Sequence, residues 1–234
     1  MPEYCVTGGT GFIAAYLVKA LLDKGHVVRT TVRNPEDGGK VGYLWEFNGA
    51  KERLKVLKAD LMVEGSFDEA LWYAYAKTTA EKEAWRIAGE SGMDLVVVNP
   101  SFVVGPLLAP QPTSTLYMIL AILKGSRGEY PNTTVGFVHI DDVVAAHILA
   151  MEESKASGRL ICSSSVAHWS EIIKMLRAKY PSYPYENKCS SVEGDSNPHS
   201  MDTSKIAQLG FPPFKTLETM FDDCITSFQQ KGFL

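Results

Sequence analysis

Short apolar runs alternate with segments of helical periodicity along the whole chain. The apolar runs suited to β-strands cover residues 4–7, 26–32, 54–57, 95–98, 135–140 and 160–163. The segments with apolar residues at helical spacing cover residues 13–24, 66–89, 113–124, 141–151, 169–179 and 216–230. Because such alternation is typical of parallel strands joined by helices, the pattern predicts an α/β fold.

The composition is that of an ordinary globular protein. Of the 234 residues, 45% are hydrophobic and 21% are charged, so the chain is long enough for one large or two small domains. The 23 basic and 27 acidic residues are interspersed and give a net charge of −4, which favours neither a nucleic-acid partner nor an anionic membrane. No apolar stretch reaches the roughly 18 residues of a membrane-spanning helix.

The cysteines are far apart and form neither a CxxC pair nor a Cys/His cluster: they are Cys5, Cys162, Cys189 and Cys224. This spacing indicates neither a zinc site nor a disulfide framework, so no metal is expected. There is also no apolar signal core before the polar turn that starts at residue 7. Both features favour a cytoplasmic location.

A glycine-rich turn, TGGTGFIA, lies between the first predicted strand and the first predicted helix. Glycines in this position let the backbone approach a pyrophosphate, whose charge then rests on the N-terminus of the helix. Gly8 and Gly11 are the close-approach residues. Ala14 takes the third small position, where the helix packs on the strand. Alternatively, the glycines form a tight turn that binds nothing.

A cation follows the second predicted strand, where NAD-binding proteins usually place an acidic residue for the ribose 2′-hydroxyl. Arg33 can instead form paired hydrogen bonds with a 2′-phosphate, and Lys40 can add a second positive charge. This pattern favours NADP(H) over NAD(H). The alternative is that both side chains are solvated surface charges.

Asp60 follows the third predicted strand, at the carboxyl edge where open α/β sheets bind their ligands. Its carboxylate can accept the amino hydrogens of an adenine ring or can cap the turn that follows, and the residues alone favour neither role.

Tyr73 and Lys77 lie four residues apart in the helical segment 66–89 and therefore share one helix face. In that arrangement the ammonium group lowers the pKa of the phenol, which can then act as an acid. The alternative is an ordinary half-buried helix surface. An apolar run at 95–98, suited to a buried parallel strand, follows this helical segment and stops at Asn99 and Pro100.

Eight motifs together resemble the plant dihydroflavonol reductase and cinnamoyl-CoA reductase group of extended short-chain dehydrogenases/reductases. They are TGGTGFI, TTVRNP, KADL, EGSFDEA, YxxxK, NPSFVVGP, FVHIDDV and MDTSKIAQLGF, and they cover nearly the whole chain. Within the group, the motifs most resemble those of the tetraketide α-pyrone reductases. The resemblance implies a Rossmann-type doubly wound sheet and reduction of a small-molecule carbonyl, on a polyketide pyrone or a phenolic compound, with NADPH.

The resemblance also implies two regions, an NADP-binding region at 1–106 and a mainly substrate-binding lobe at 107–234 that is interleaved with the last strands. The residues that it assigns to the pyrophosphate are Gly8, Gly9, Thr10, Gly11, Phe12 and Ile13. It assigns Arg33 and Lys40 to the 2′-phosphate. The residues that it assigns to adenine are Asp60 and Leu61.

The remaining assignments concern the reacting end of the cofactor. By resemblance, Tyr73 is the proton donor and Lys77 is its partner on the nicotinamide ribose. The residues that line the nicotinamide are Pro100, Ser101, Phe102 and Val103. Thr115 is a further cofactor contact, for which Thr113 and Ser114 are close rivals. No residue pattern specifies an oligomeric state.

One stretch of the family pattern is missing between about residues 61 and 72. Only twelve residues separate Asp60 from Tyr73, whereas one strand-helix-strand unit needs about 30. Strands 4 and 5 of the doubly wound sheet, and the catalytic serine of the family, are therefore predicted to be absent. Unless the strand at 95–98 docks directly beside the first strand, two internal sheet edges are left exposed.

This gap supports an alternative function, a truncated or splice-variant remnant that binds NADP(H) weakly or not at all. A third possibility is an epimerase or dehydratase of the same superfamily, but these usually have an acid where Arg33 stands. Two features of the second half are expected to be structural. His139 is predicted to be a half-buried strand residue, and Asp141 is predicted to cap the helix that follows.

Overall fold

The computed structural model describes residues 2–58, 70–112, 114–193 and 199–234, with side chains described except at residues 70–76, 114 and 193. The strands are β1 (Glu3–Val6), β2 (Val27–Val32), β3 (Leu54–Lys58), β4 (Val96–Pro100), β5 (Phe102–Val104), β6 (Tyr130–Asn132), β7 (Thr134–His139), β8 (Gly158–Cys162), β9 (Ser165–His168) and β10 (Cys189–Glu193). The helices are α1 (Phe12–Asp23), α2 (Gly38–Val41), α3 (Ala50–Arg53), α4 (Ala70–Ser91), α5 (Ser114–Leu123), α6 (Ile140–Glu152), α7 (Trp169–Lys179), α8 (Ser204–Gln208) and α9 (Leu217–Gln230). A 3₁₀ turn (Gly42–Glu46) follows α2.

The first half is a parallel three-stranded sheet in the order β1-β2-β3. Val6 is paired in register with Thr30, and Val32 with Lys58. One face of the sheet is covered by α1 and the segment between β2 and β3, and its core includes the fully buried Val28. The opposite face carries charged side chains. The predicted strand-helix-strand start of a Rossmann-type fold is therefore confirmed.

The described residues of the second half form three separate sheets. In the first, β4 pairs with β8 in parallel. In the second, β7 pairs with β5 in parallel and with β9 in antiparallel orientation. In the third, β10 pairs with β6 in parallel. Rings packed edge to face fill the core beneath β7, with centroids of Phe102, Phe137 and Trp169 separated by 5.3 to 5.6 Å.

The sheet is interrupted between β1 and β4. In the part of the chain that the structure describes, β1 pairs only with β2 and β4 pairs only with β8. The possible repair, direct docking of the strand at 95–98 beside the first strand, therefore does not occur. Between β3 and β4, the described residues form one element, the helix α4, and no strand.

The interruption changes the burial of both strands. A central parallel strand is normally covered on both faces. In β1, however, Glu3 and Cys5 are exposed, and all five residues of β4 are only half-buried. The predicted strand at 95–98 forms as a parallel strand, and among the described residues no strand pairs with its other edge.

The two halves are joined by packing between α1 and α6. One side of α1 contacts the first sheet, while Tyr16 on another side enters a core that includes Val138 and Val143. The Tyr16 hydroxyl also donates to the Pro106 carbonyl at 2.7 Å. Burial raises the pKa of this phenol, which therefore stays neutral. The halves thus share a core although they share no sheet.

Candidate functional site

The glycine turn is attached to the end of β2 by its own backbone. The Gly8 N–H donates to Thr31 Oγ1 at 3.1 Å, and the Gly9 N–H donates to the Thr31 carbonyl at 2.9 Å. Gly8 has a φ of +69°, and Gly11 closes the turn with an N–H bond of 2.8 Å to the Gly8 carbonyl. Gly8 and Gly11 are exposed, so an incoming group can reach the backbone at both positions.

Gly9 has a different reason to lack a side chain. It is buried, and a Cβ there would overlap Thr30 Oγ1 and lie 2.9 Å from Thr30 Cγ2. Thr30 is itself fully buried and donates to the Val6 carbonyl at 2.7 Å. The resemblance assigned Gly9 to the pyrophosphate, whereas the structure gives it a packing role between the turn and β2.

The first turn of α1 is arranged to hold an anion. Gly11 occupies the N-cap position with extended backbone, no side chain caps the helix, and the first turn contains no acidic residue. The N–H groups at a helix start have no partner within the helix and lie at the positive end of its dipole. Phe12 and Ile13 are half-buried, and the hydroxyl of Tyr43 donates to the Thr10 carbonyl at 3.4 Å. The exposed backbone and the uncapped helix fit a pyrophosphate.

Arg33 lies at the same edge as this turn, because β1 and β2 are parallel and each is followed by one of the two features. Its side chain is exposed and has no hydrogen bond or ion pair with any described residue. Lys40 differs, since its ammonium lies 3.3 Å from an Asp37 carboxylate oxygen and is largely exposed. Of the two cations, Arg33 is therefore the one available for a 2′-phosphate.

The structure does not test every predicted contact. Asp60, Leu61 and Thr113 lie outside the described residues. The backbone of Tyr73 lies in α4, as predicted, but its side chain is outside the described part of the structure, so the predicted role of its phenol is not tested. Lys77 is exposed on the same helix, one turn further along.

The far part of α4 is attached to the second half of the molecule. Arg159 on β8 forms an ion pair with Glu81, and its guanidinium lies 5.8 Å from the centroid of the Trp85 ring. The Trp85 N–H donates to the same Glu81 carboxylate at 3.1 Å. Bonds from Trp85 and then Arg159 hold the pKa of Glu81 below its ordinary value. Thus β8 helps to position the helix that carries Tyr73 and Lys77.

The predicted nicotinamide-lining residues lie at the junction of β4 and β5. Pro100 ends β4, and Val103 and the ring of Phe102 pack into the buried cores. Ser101 donates its N–H to the Cys162 carbonyl at 3.1 Å, but its buried hydroxyl has no partner among the described residues. Ser101 is thus the member of this set with a free polar group.

Sequence reasoning assigned no role to a second serine at this edge. Because Pro100 pairs in register with Cys162, the residues that follow them, Ser101 and Ser163, come at the same carboxyl end of two neighbouring strands. The Ser163 hydroxyl is buried and, among the described residues, also lacks a partner. Its position directly after an apolar strand was the only available signal.

Thr115 and His139 both have structural partners. The Thr115 hydroxyl donates to the Val103 carbonyl at 2.9 Å, which attaches α5 to β5. His139 is fully buried rather than half-buried, and its Nδ1 accepts the Asp141 N–H at 3.0 Å. His139 therefore caps α6. The prediction that Asp141 is the cap was wrong, because Asp141 lies within the first turn of α6 and its N–H donates to the His139 ring. Burial lowers the pKa of His139, although its Nε2 lies 3.2 Å from an oxygen of Asp223, without hydrogen-bond alignment.

Two global properties complete the description. Within residues 2–58, 70–112, 114–193 and 199–234, no three or more His, Cys, Asp or Glu side chains are grouped so that they could bind a metal ion. None of the helices in these ranges combines the length and apolarity needed to cross a membrane.

Comparisons with known proteins identify the family. A family model described as the NAD dependent epimerase/dehydratase family matches residues 4–72 and, separately, 58–161. Tetraketide alpha-pyrone reductase 2 of Arabidopsis thaliana is 56% identical over 321 residues, covering 100% of both chains. Cinnamoyl-CoA reductase 2 of Medicago truncatula is 34% identical over 311 residues, covering 98% of this chain and 92% of the relative. The predicted resemblance is confirmed.

The fold comparison gives the same result. The crystal structure of vestitone reductase from alfalfa (Medicago sativa L.) superposes with a TM-score of 0.83 at 26% identity, covering 99% of each chain.

The alignments also locate the missing stretch. The alignment to the Arabidopsis relative spans 321 positions and this chain has 234 residues, so 87 positions are gaps in this chain. The two family matches meet at residues 58–72, between β3 and the start of α4. The match to the family model is thus split in the same part of the chain in which the sheet is interrupted.

Proposed function

Because the chain belongs to the NAD dependent epimerase/dehydratase family, we propose that it is an NADPH-dependent carbonyl reductase of the dihydroflavonol, cinnamoyl-CoA and tetraketide α-pyrone reductase type. One observation carries the proposal. An exposed glycine turn followed by the uncapped helix α1 lies at the same sheet edge as Arg33, whose side chain has no partner among the described residues. The substrate is a small carbonyl compound, a polyketide pyrone or a phenolic. We place the reaction in the cytoplasm, in keeping with four free cysteines.

The chain's own residues divide the binding of the cofactor between them. The backbone around Gly8 and Gly11 and the first turn of α1 hold the pyrophosphate, because exposed N–H groups and the helix dipole favour an anion there. Arg33 holds the 2′-phosphate, since its planar group can donate two hydrogen bonds to one phosphate. NADPH, when bound, supplies the hydride for carbonyl reduction. On this basis, residues 1–106 form the cofactor region and residues 107–234 form most of the substrate lobe.

Tyr73 and Lys77 would supply the proton. Lys77 lies one helical turn from Tyr73, so its charge can lower the pKa of the phenol from about 10 toward neutrality. Tyr73 then protonates the oxygen of the reduced carbonyl, while Lys77 holds the nicotinamide ribose. Because the family's serine is missing, one hydrogen bond to that oxygen is lost, and loss of such a donor typically costs about 100-fold or more in rate.

Titration of NADPH and NADH into the purified chain, followed by nicotinamide fluorescence, tests the cofactor assignment. We expect Arg33→Ser to weaken NADPH binding by about 10- to 100-fold, because a charged hydrogen bond contributes about 1.5–3 kcal/mol. NADH binding should be unchanged, since it has no 2′-phosphate. Lys155→Ser is the matched control, because Lys155 is an exposed cation beyond the end of α6. If Arg33→Ser weakened NADPH binding and NADH binding equally, Arg33 would not be the residue that binds the 2′-phosphate.

A second candidate function is NADP(H) binding without turnover. The interruption between β1 and β4 favours it, because the cofactor phosphates are held by the first half whereas α4 is attached to the second. Turnover assays on pyrone and phenolic carbonyls separate the candidates. Reduction that is lost in Tyr73→Phe supports the reductase, and micromolar NADPH binding with no reduction of any tested carbonyl supports the second candidate.

A further inference from the structure

Two strand edges are left without partners on the described part of the fold, and we call the space between them the β1–β4 slot. It is bounded by the outer edge of β1 and the outer edge of β4. In a parallel strand, alternate residues direct both of their backbone polar groups to the same side. Each edge therefore presents a row of N–H and C=O groups that can pair with another strand.

The slot is apolar as well as unpaired. Val96, Val97 and Val98 of β4 are half-buried. In β1, Tyr4 is half-buried and Cys5 is exposed. These five side chains carry no charge, but Glu3 at the start of β1 is exposed and forms an ion pair with Arg29. β-branched residues without charge are typical of strands that are covered on both faces in a parallel sheet. The edge of β4 thus keeps the character of an internal strand, and the edge of β1 keeps it beyond Glu3.

The two edges are connected by helices that pack against each other. Helix α1 contacts β1, helix α6 contacts β4, and α1 and α6 pack against each other through the core around Tyr16 and Val143. The Tyr16 bond to the Pro106 carbonyl further ties α1 to the segment after β5. The relative positions of the two edges are therefore set by packed helices.

The size of what would fill the slot follows from the alignment. The 87 unmatched positions of the Arabidopsis relative exceed the roughly 30 residues of one strand-helix-strand unit. They are enough for two strands with their connecting helices. The family match is split between β3 and α4, and strands inserted there would come after β3 and before β4 in chain order.

We propose that the β1–β4 slot is a docking surface for a polypeptide supplied in trans, namely a pair of parallel strands of the kind that the 87 unmatched positions provide. The partner adds one strand to β1 and one to β4, so its backbone hydrogen bonds give affinity and its apolar side chains cover the valines of β4. This proposal concerns strand pairing at the β1–β4 slot and does not rest on the proposed reductase activity.

Alkylation of Cys5 measures occupancy of the slot. This thiol is exposed in β1, whereas Cys162 and Cys224 are buried and Cys189 lies in β10, outside the slot. The probe is the segment of the Arabidopsis reductase that is unmatched in this chain, fused to a soluble carrier protein. The same carrier with a scrambled segment is the control. A chain with the segment inserted between β3 and α4 shows the rate for a filled slot.

With the fused segment at ten times its Kd, we expect the alkylation of Cys5 to slow about tenfold, because only about one slot in eleven stays free. Alkylation of Cys189 should not change. Amide hydrogen exchange in β1 and β4 should slow in parallel, since both edges gain backbone partners. Because neither measurement uses NADPH, failure of the reductase proposal would leave both results intact.

Three outcomes would overturn the proposal. The first is no protection of Cys5 by the fused segment in trans when the inserted segment protects it in cis. The second is no protection in either arrangement, which would mean that the strands do not enter the slot. The third is that Cys5 of the chain alone already reacts as slowly as Cys5 of the chain with the inserted segment. If the alkylation rate of the chain alone then falls as its concentration is raised, the occupant is a second copy of the chain.

Discussion

Gly9→Ala tests whether the turn that would hold the cofactor is fixed by packing rather than by its ligand. Gly9 is buried against β2, and the added methyl carbon would overlap Thr30 Oγ1 and lie 2.9 Å from Thr30 Cγ2. Thr30 cannot rotate freely, because it is fully buried and its hydroxyl donates to the Val6 carbonyl. The substitution must therefore either displace the turn from β2 or break the bond between Thr30 and Val6.

The expected cost comes from two sources. Forcing an extra methyl group into a packed site costs about 1–3 kcal/mol. Leaving the Thr30 hydroxyl or the Val6 carbonyl buried without a partner costs about 1–3 kcal/mol more. We therefore expect Gly9→Ala to lower the free energy of unfolding by about 2–6 kcal/mol. For a small domain with a net stability of about 5–15 kcal/mol, this is a large fraction.

Urea unfolding followed by circular dichroism measures the effect. Gly42→Ala is the matched control, because Gly42 has helical backbone angles and a Cβ there meets nothing within 4 Å. The control should be neutral or slightly stabilising. Thr30→Ala should relieve the clash, so that Gly9→Ala costs at least about 1 kcal/mol less in that background. A Gly9→Ala chain within about 0.5 kcal/mol of the parent, or an equal cost in both backgrounds, would refute the reasoning.

Three further predictions concern single side chains. Tyr73→Phe should lower kcat by about 10²- to 10⁴-fold and leave NADPH affinity within about twofold, since a general acid acts only in turnover; rate assays and titration check this, and an equal loss in both would contradict it. Burial holds the pKa of His139 below its ordinary value, so the unfolded chain binds a proton more readily than the folded chain does. The free energy of unfolding is therefore at its full value above about pH 6.5 and falls as the pH drops below that value. His139→Asn keeps an acceptor for the Asp141 N–H and should flatten this loss in urea unfolding at about pH 7.5 and 5.5. Thr115→Val should cost about 1 kcal/mol of stability through the lost bond to the Val103 carbonyl, with NADPH affinity unchanged; weaker NADPH binding would instead assign Thr115 to the cofactor.

The start of the fold could be predicted because its signals are local. The apolar runs at 4–7 and 26–32 and the helical spacing between them need only their own residues to specify strand, turn and helix, and all three are present. Gly8 and Gly11 could be identified for the same reason, since the position of a glycine between a strand and a helix is visible in the sequence. The cation after β2 likewise follows from counting residues past the turn.

Contacts between distant residues could not be predicted in this way. The reason that Gly9 is a glycine lies in Thr30, and the capping of α6 depends on how the His139 ring turns within a buried core. The unpartnered hydroxyls of Ser101 and Ser163 become a pair only through the register of β4 and β8. None of these relations has a periodicity or spacing that a single sequence displays.

The interruption of the sheet changes how the parts of the site depend on one another. The glycine turn and Arg33 are fixed by β1 and β2, whereas α4, which carries Tyr73 and Lys77, is fixed through Arg159 on β8. In a continuous sheet, intervening strands would transmit position from one set to the other. Here, among the described residues, that connection passes mainly through the packing of α1 on α6. If the proposed roles are right, binding of the cofactor phosphates depends on the first half, while placing Tyr73 and Lys77 at the reacting end depends mainly on the contact between α1 and α6, so phosphate binding and turnover can be lost separately.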